Sequence, residues 1–386
     1  MAVETHINLD EVVCHFAELE DPRSEVNRRH PLASVLVIAL LAVLAGAAGP
    51  TAIARWAMFK RDLLIGILPL PNGIPCKDVF RRVLATLQPA AFQVCFVNWL
   101  QSLRQSAADA TGIDQPIVAI DGKTLRRSHD AAKGLGALHS VSAWLSDFGL
   151  SLGQVATEEK SNEITAIPEI LRLVDIRGAI VTIDAIGTQT KIAKQIVDGE
   201  GDYVLPVKGN QGKLQEAVEE YVNRQMDNDF EGIVARKFVT EEKGHGRKET
   251  RHYIQMPAPK TLPGFSKWTK LTTLGVVLLH CIRNGKESID ARYFISSLPL
   301  GVKTFARAVR GHWAIENTCH WSLDVTYRED ESRIREKHLR QNFAWLNRFT
   351  LSLLKQHPGK QSIAMKRRSC GWSEEFLIET IAPARV

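Results

Sequence analysis

Cysteine is scarce in this 386-residue chain, and the six present (Cys14, Cys76, Cys95, Cys281, Cys319 and Cys370) are scattered, with no Cys-x-x-Cys pair. That excludes a zinc finger and a disulfide scaffold and predicts reduced thiols in a cytoplasmic protein. A large charge of one sign is also missing. The balance is 49 basic against 43 acidic side chains, net +6, which favours an anionic partner without identifying nucleic acid. Long hydrophobic runs are nearly absent, the exception being residues 32–49, where Ser34 is the one polar side chain. Its length meets that of a membrane span, and Arg28, Arg29 and His30 before it raise a signal-anchor reading. The run is nevertheless rich in Ala and Gly, closes on Gly49-Pro50, and precedes an amphipathic stretch carrying Arg55, Lys60 and Arg61. It is read as a buried core helix, with no membrane contact.

What is present is globular: 45% hydrophobic and 24% charged residues, in a chain long enough for two or three domains. Helical spacing dominates up to about residue 105, with helices expected over 9–19, from Pro31, over 53–64, over 77–87 and over 92–103. In the fourth, Val79, Phe80, Val83, Leu84 and Leu87 share a face and leave Arg81 and Arg82 off it, as DNA contacts or as solvated charges.

From Ile117 the period changes. Pro116-Ile-Val-Ala-Ile-Asp-Gly-Lys123 is a buried strand delivering Asp121 to a sheet edge, and residues 178–187 repeat the pattern, ending on Asp184. Two strands that each carry an aspartate to one end of a sheet suit a hard divalent cation, which wants converging carboxylates; alternatively each Asp caps a turn. Between them come a hairpin (137–145 and 150–157) and a helix capped by Ser161 or Asn162; a helix at 188–197 and a strand at 203–207 follow. This order predicts a mixed α/β sheet with helices on its faces. Residues 212–300 read as a β-rich insertion after a charged helix, with a hairpin turn at Asn284-Gly285. A helix over 303–325 then places His312, Glu316, His320 and Asp324 on one face, with Trp313 and Trp321 beside it as core residues or as platforms for an unpaired base. The tail adds one more helix and a basic cluster, Lys366-Arg-Arg368.

In order, Asp121-Gly-Lys, Asp184-Ala-Ile-Gly, residues 203–211, Gly244-His-Gly-Arg-Lys-Glu-Thr-Arg251, residues 293–298 and His312-Trp-Ala-Ile-Glu-Asn317 resemble the ISAs1 family of bacterial insertion-sequence transposases. The likeness spans nearly the whole chain. It implies an all-helical N-terminal domain (1–105) and an RNase H-like DDE catalytic domain (113–386) with a β-rich insertion at about 212–300 and a helical tail. The implied acids, as catalytic groups and metal ligands, are Asp121, Asp184 and Glu316. They hold two Mg²⁺ or Mn²⁺ ions for cutting transposon ends and joining them to target DNA, and a homodimer acts on the paired ends. In the larger group of DDE transposases the glutamate helix often carries a Tyr, an Arg and a Lys where this chain has Val309, His312 and Leu323. Lys123, Lys208 and Arg310 lie near the motifs as phosphate contacts or as solvated cations.

Three other readings stay open. Glu329 and Glu331 rival Glu316 as third acid, although their stretch reads as a charged surface. His312, Glu316 and His320 could form a zinc hydrolase site, although the three spread along about 12 Å of helix. A catalytically silent, transposase-derived DNA-binding protein would keep the fold alone.

Overall fold

The computed structural model describes residues 13–16, 19–129, 134–157, 163–244 and 246–381, with side chains omitted at 27 and 101–111. Most of the helix expected over 9–19, the Ser161 and Asn162 caps and His245 lie outside the described residues. The helical N-terminal region comprises α1 (Leu32–Leu44), α2 (Pro50–Phe59), α3 (Arg61–Ile67), α4 (Lys77–Thr86) and α5 (Pro89–Thr111). Helix α1 is apolar on every face, so it can only be stable in a core. All of its residues but Ala33 are buried, and Ser34 is satisfied by donating to Pro69 O at 3.2 Å. Among the described residues no single helix is long and apolar enough to cross a membrane. The amphipathic stretch 53–64 breaks at Lys60 into α2 and α3.

The sheet then begins with β1 (Ile117–Leu125), β2 (Leu138–Leu145) and β3 (Leu150–Thr157), continues through α6 (Glu163–Leu173), β4 (Ile180–Ile183), α7 (Thr190–Asp198) and β5 (Asp202–Val207), and pauses at α8 (Gly212–Asp227). Strands β1, β2 and β3 pair antiparallel, whereas β4 lies parallel to β1 and β5 parallel to β4. The order β3-β2-β1-β4-β5 with those directions is that of an RNase H-like core.

The insertion does not stand apart from this sheet. Strands β6 (Arg236–Gly244), β7 (Arg247–Pro257), β8 (Thr273–Arg283) and β9 (Lys286–Ser296) extend it to nine, joined through antiparallel pairing of β9 with β5. Asn284 and Gly285 both adopt positive φ (52° and 74°), the two-residue turn that matches strand twist. One long helix follows, as α9 (Val302–Ala314), a π turn (Ile315–His320) and α10 (Trp321–Val325). The chain ends in α11 (Lys337–Gln356), α12 (Ile363–Trp372) and α13 (Glu374–Ile381).

Helix α11 is buried without interruption from Asn342 to Leu354 and joins the sheet to the N-terminal helices. Its polar groups are paired across those boundaries: Asn342 donates to Leu84 O and Leu87 O, and Ser352 Oγ accepts from Ser151 N. Phe349 packs on Phe96 with ring centroids 4.3 Å apart, within one apolar core that runs from α1 to β5. The basic cluster on α12 is not a solvated patch. Lys366 donates to Leu354 O and His357 O, and Arg367 bonds Thr326 O while its guanidinium lies 4.1 Å over the Tyr327 ring, which leaves Arg368 exposed. Carbonyls left over at helix ends have captured the other two cations.

Candidate active site

Side chains alternate along β1, so Ile117, Ala119, Asp121 and Lys123 face α9 and α10 while Val118, Ile120 and Gly122 face α6. Helix α9 comes close because Gly311 lies against Ile117, where a Cβ would sit 2.8 Å from the isoleucine. In the parallel β1/β4 pair, Ile120 is registered with Ile183, so Asp184, just past the end of β4, lies beside Asp121. Strand β1 does not end on its aspartate as expected but runs on to Leu125, with Asp121 mid-strand opposite Ser142 on β2. Each aspartate uses one oxygen locally. Asp121 Oδ1 accepts from Gly122 N at 2.8 Å, and Asp184 Oδ1 accepts from Ile186 N and Gly187 N, capping a short 3₁₀ turn. The turn-capping reading of Asp184 therefore holds for one oxygen and leaves the other.

The long helix aims four side chains at this edge. His312 Nδ1 meets Thr182 Oγ1 at 3.2 Å, His320 Nδ1 lies 3.4 Å from Asp121 Oδ2, and Asp324 pairs with Lys123 Nζ. Glu316, inside the π turn, is exposed and not packed in the core, and its charge reaches Asp121. Widened turns of this kind concentrate at functional sites.

Burial raises the Asp121 carboxyl to about 7, and the charges of Glu316, Asp184 and Glu163 push the same way against the Gly122 hydrogen bond. Burial likewise raises Asp184, helped by Glu163 and opposed by its backbone bonds and by Lys208. Burial holds His312 down at about 4, and His320 at about 3 with further help from Arg348 and Lys123, so both imidazoles are neutral at pH 7. Behind Asp121, on the α6 face, the buried Glu163 meets His139 Nε2 at 2.8 Å, and His139 Nδ1 meets Thr124 Oγ1 at 2.7 Å. Gly122 makes room for that pair, since a Cβ there would lie 2.4 Å from Glu163 Oε1. Glu163 carries no motif that would have singled it out; its place beside Asp121 comes from the topology.

Several expected contacts move. Lys123 is buried, held by Asp324 and by Asp330 at 3.5 Å, and so is neither solvated nor presented to a phosphate. Lys208 is exposed beside Asp184. Arg310 is half-exposed and bound by Glu242 at 3.0 Å, while Arg81 and Arg82 are exposed on α4. Neither tryptophan is core: Trp313 is partly exposed under the guanidinium of Arg292, 4.7 Å away, and Trp321 is 57% exposed. Glu329 is not on a charged surface, because it is buried against the fully buried Arg348 at 3.2 Å; Glu331 pairs with Arg328 outside. The zinc arrangement fails because His312 is turned to Thr182.

Among the described residues no group of three acidic, histidine or cysteine side chains is placed to hold a metal ion. What stands at the end of β4 is a set of like-charged oxygen donors, one of them half-buried and strongly perturbed. Hard donors with uncompensated negative charge fit a divalent ion such as Mg²⁺ or Mn²⁺.

Residues 112–354 match the family described as "Transposase DDE domain", and residues 13–100 match its companion, "DDE_Tnp_1-associated". The chain is 37% identical over 383 residues to "Putative transposase YncI" of Escherichia coli O157:H7, covering 97% of this chain and 95% of that one. It is 34% identical to "H repeat-associated putative transposase YhhI" of Escherichia coli strain K12, covering 97% and 99%. Among solved structures, a piggyBac transposase synaptic complex with hairpin DNA aligns with 97% of this chain and 80% of that one, at 11% identity and a TM-score of 0.39. With the domain match spanning well over half of its length and full-length relatives above 30% identity, the chain belongs to the DDE transposase family.

Proposed function

We propose that this protein cuts insertion-sequence ends and joins them to target DNA, with Asp121, Asp184 and Glu316 as the acids of its active site. The observation that carries the reading is the pair of aspartates set side by side by the registered parallel strands β1 and β4, within reach of the Glu316 charge, with Asp121 half-buried and its carboxyl raised to about 7. Transposase DDE domains generally use divalent metals. Two such ions, when bound, lower the pKa of an attacking water and stabilise the charge on the entering and leaving oxygens of an in-line displacement. Asp121, Asp184 and Glu316 would hold these ions, with Asp121 shared between them. In the first step water attacks phosphorus at the transposon end and the bond to the 3′-oxygen breaks, freeing a 3′-hydroxyl. In the second, that hydroxyl attacks a target phosphodiester and the displaced 3′-oxygen leaves, so one such bond is exchanged for another.

On this reading Lys208 and Arg310 position DNA phosphates, Trp313 lies at the DNA end, and Arg81 and Arg82 serve a helical DNA-binding domain (1–105) ahead of the catalytic domain (113–386). The partner is double-stranded DNA, held by a homodimer.

The test is Mn²⁺- or Mg²⁺-dependent nicking of DNA carrying the sequences that flank the gene, comparing the native protein with Asp121→Asn. Cleavage at a fixed position, abolished by the substitution, is expected. Residual cleavage at roughly a tenth of the native rate, a barrier change of only about 1.4 kcal/mol, would sink the assignment. Binding without cleavage in both proteins would favour the catalytically silent reading.

A further inference from the structure

His320 has no task in the three-acid scheme, yet it is placed as closely as any of its members. It closes the π turn that carries Glu316, its side chain is 12% exposed, and its Nδ1 points at Asp121 Oδ2 from 3.4 Å. That separation is long for a charge-assisted hydrogen bond, which settles near 2.7–2.9 Å for a nitrogen donor on a carboxylate. It is no further from a different relationship. Two donors at right angles on one octahedral ion, with bonds of roughly 2.0–2.2 Å, lie about 3 Å apart. The other ring nitrogen, Nε2, is buried without a hydrogen-bond partner, so among the described residues Asp121 is the group that faces a ring nitrogen. An imidazole nitrogen facing the Asp121 carboxylate is a ligand in waiting. Its neighbour His312 differs, because its Nδ1 is already engaged by Thr182.

We propose that His320 is a direct nitrogen ligand to the cation shared with Asp121, making the site a mixed nitrogen and oxygen site. The inference rests on the reading that Asp121 holds a cation. Its consequence is a shift in metal preference: an imidazole adds more to the binding of Mn²⁺ than of Mg²⁺, which favours oxygen.

The test adds Mn²⁺ alone to the full-length protein, counts bound ion by electron paramagnetic resonance and reads ¹⁴N coupling by electron spin-echo envelope modulation. The expected result is a nitrogen modulation from a directly bound imidazole, converted to the ¹⁵N pattern by ¹⁵N-histidine labelling. It should vanish in His320→Asn and persist in His312→Asn, with Mn²⁺ affinity falling roughly tenfold in the former. Mn²⁺ that binds in an Asp121-dependent way but shows no histidine modulation overturns the inference and leaves the three-acid reading intact. Modulation that survives His320→Asn overturns it as well. Absence of any Asp121-dependent Mn²⁺ overturns both. Should His320→Asn fail to fold, the labelled native protein and His312→Asn decide the question.

Discussion

Two acidic clusters lie close together on the same face of β1 and β2, and they differ in what answers their charge. Glu329 is buried but compensated. Arg348 Nη1 and Asn347 Nδ2 both donate to its Oε1 at 3.2 Å, and Arg348 goes on to Ser142 and Ser140 on β2. Asp121, one register position away as the partner of Ser142, has Asp184, Glu316 and Glu163 around it, all of its own sign. The first cluster is closed on itself and can only hold the fold together. The second is held in a conformation that its own electrostatics oppose, and such opposition persists where the surrounding fold enforces it for a purpose.

The sharpest way to break the comparison is to open the closed cluster. Arg348→Met leaves Glu329 buried without its cation, and unfolding in denaturant should show a loss of about 3–5 kcal/mol. Adding Glu329→Gln should restore part of it, since the buried charge is gone. A loss below about 1 kcal/mol would mean that the pair is not compensating anything.

The same experiment on the open cluster should have the opposite sign. A folded-state carboxyl raised above its unfolded value binds its proton more tightly in the native chain. The native state is therefore favoured below about pH 4, and that advantage is lost as pH rises to about 7. Metal-free Asp121→Asn should accordingly be more stable than the native protein at pH 8, by roughly 1–3 kcal/mol, and nearly equal to it at pH 4. Equal destabilisation at both pH values would show Asp121 to be a structural acid like Glu329.

The comparison also separates what the sequence discloses from what it hides. The strands that carry Asp121 and Asp184 were legible from their apolar β-branched runs, but only β4 stops at its acid; pairing with β2 carries β1 past Asp121 to Leu125. The face shared by His312, Glu316, His320 and Asp324 followed from helical spacing, and the Asn284-Gly285 hairpin from its turn chemistry. Compensation was not legible. The carboxylates that bury Lys123 belong to residues 201 and 207 positions further on, and Glu329 looks like any acid in a charged stretch until Arg348 is seen facing it. Nothing local announces that the insertion extends the core sheet, since strand pairing between β5 and β9 is a matter of topology. The π turn likewise has no signature in the residues that form it.

The smallest expected effect tests the cations instead of the acids. Lys123, within β1, and Lys208, just past β5, both lie near the site, and they differ in the same way as the two clusters. Lys123 is buried between Asp324 and Asp330, whereas Lys208 is exposed and near enough to Asp184 to oppose the rise that burial gives its carboxyl. A cation already neutralised inside the protein releases no counterion from DNA; a solvated one does. Lys208→Ala should weaken binding evenly across DNA sequences and flatten the slope of log affinity against log salt by roughly 1. Lys123→Ala should lower thermal stability, because it strands two carboxylates, and leave the salt slope of the folded fraction unchanged. If instead Lys123→Ala flattens the slope as much as Lys208→Ala does, the Asp324 and Asp330 contacts open when DNA binds, and the lysine that looks structural in the free protein is a phosphate contact held in reserve.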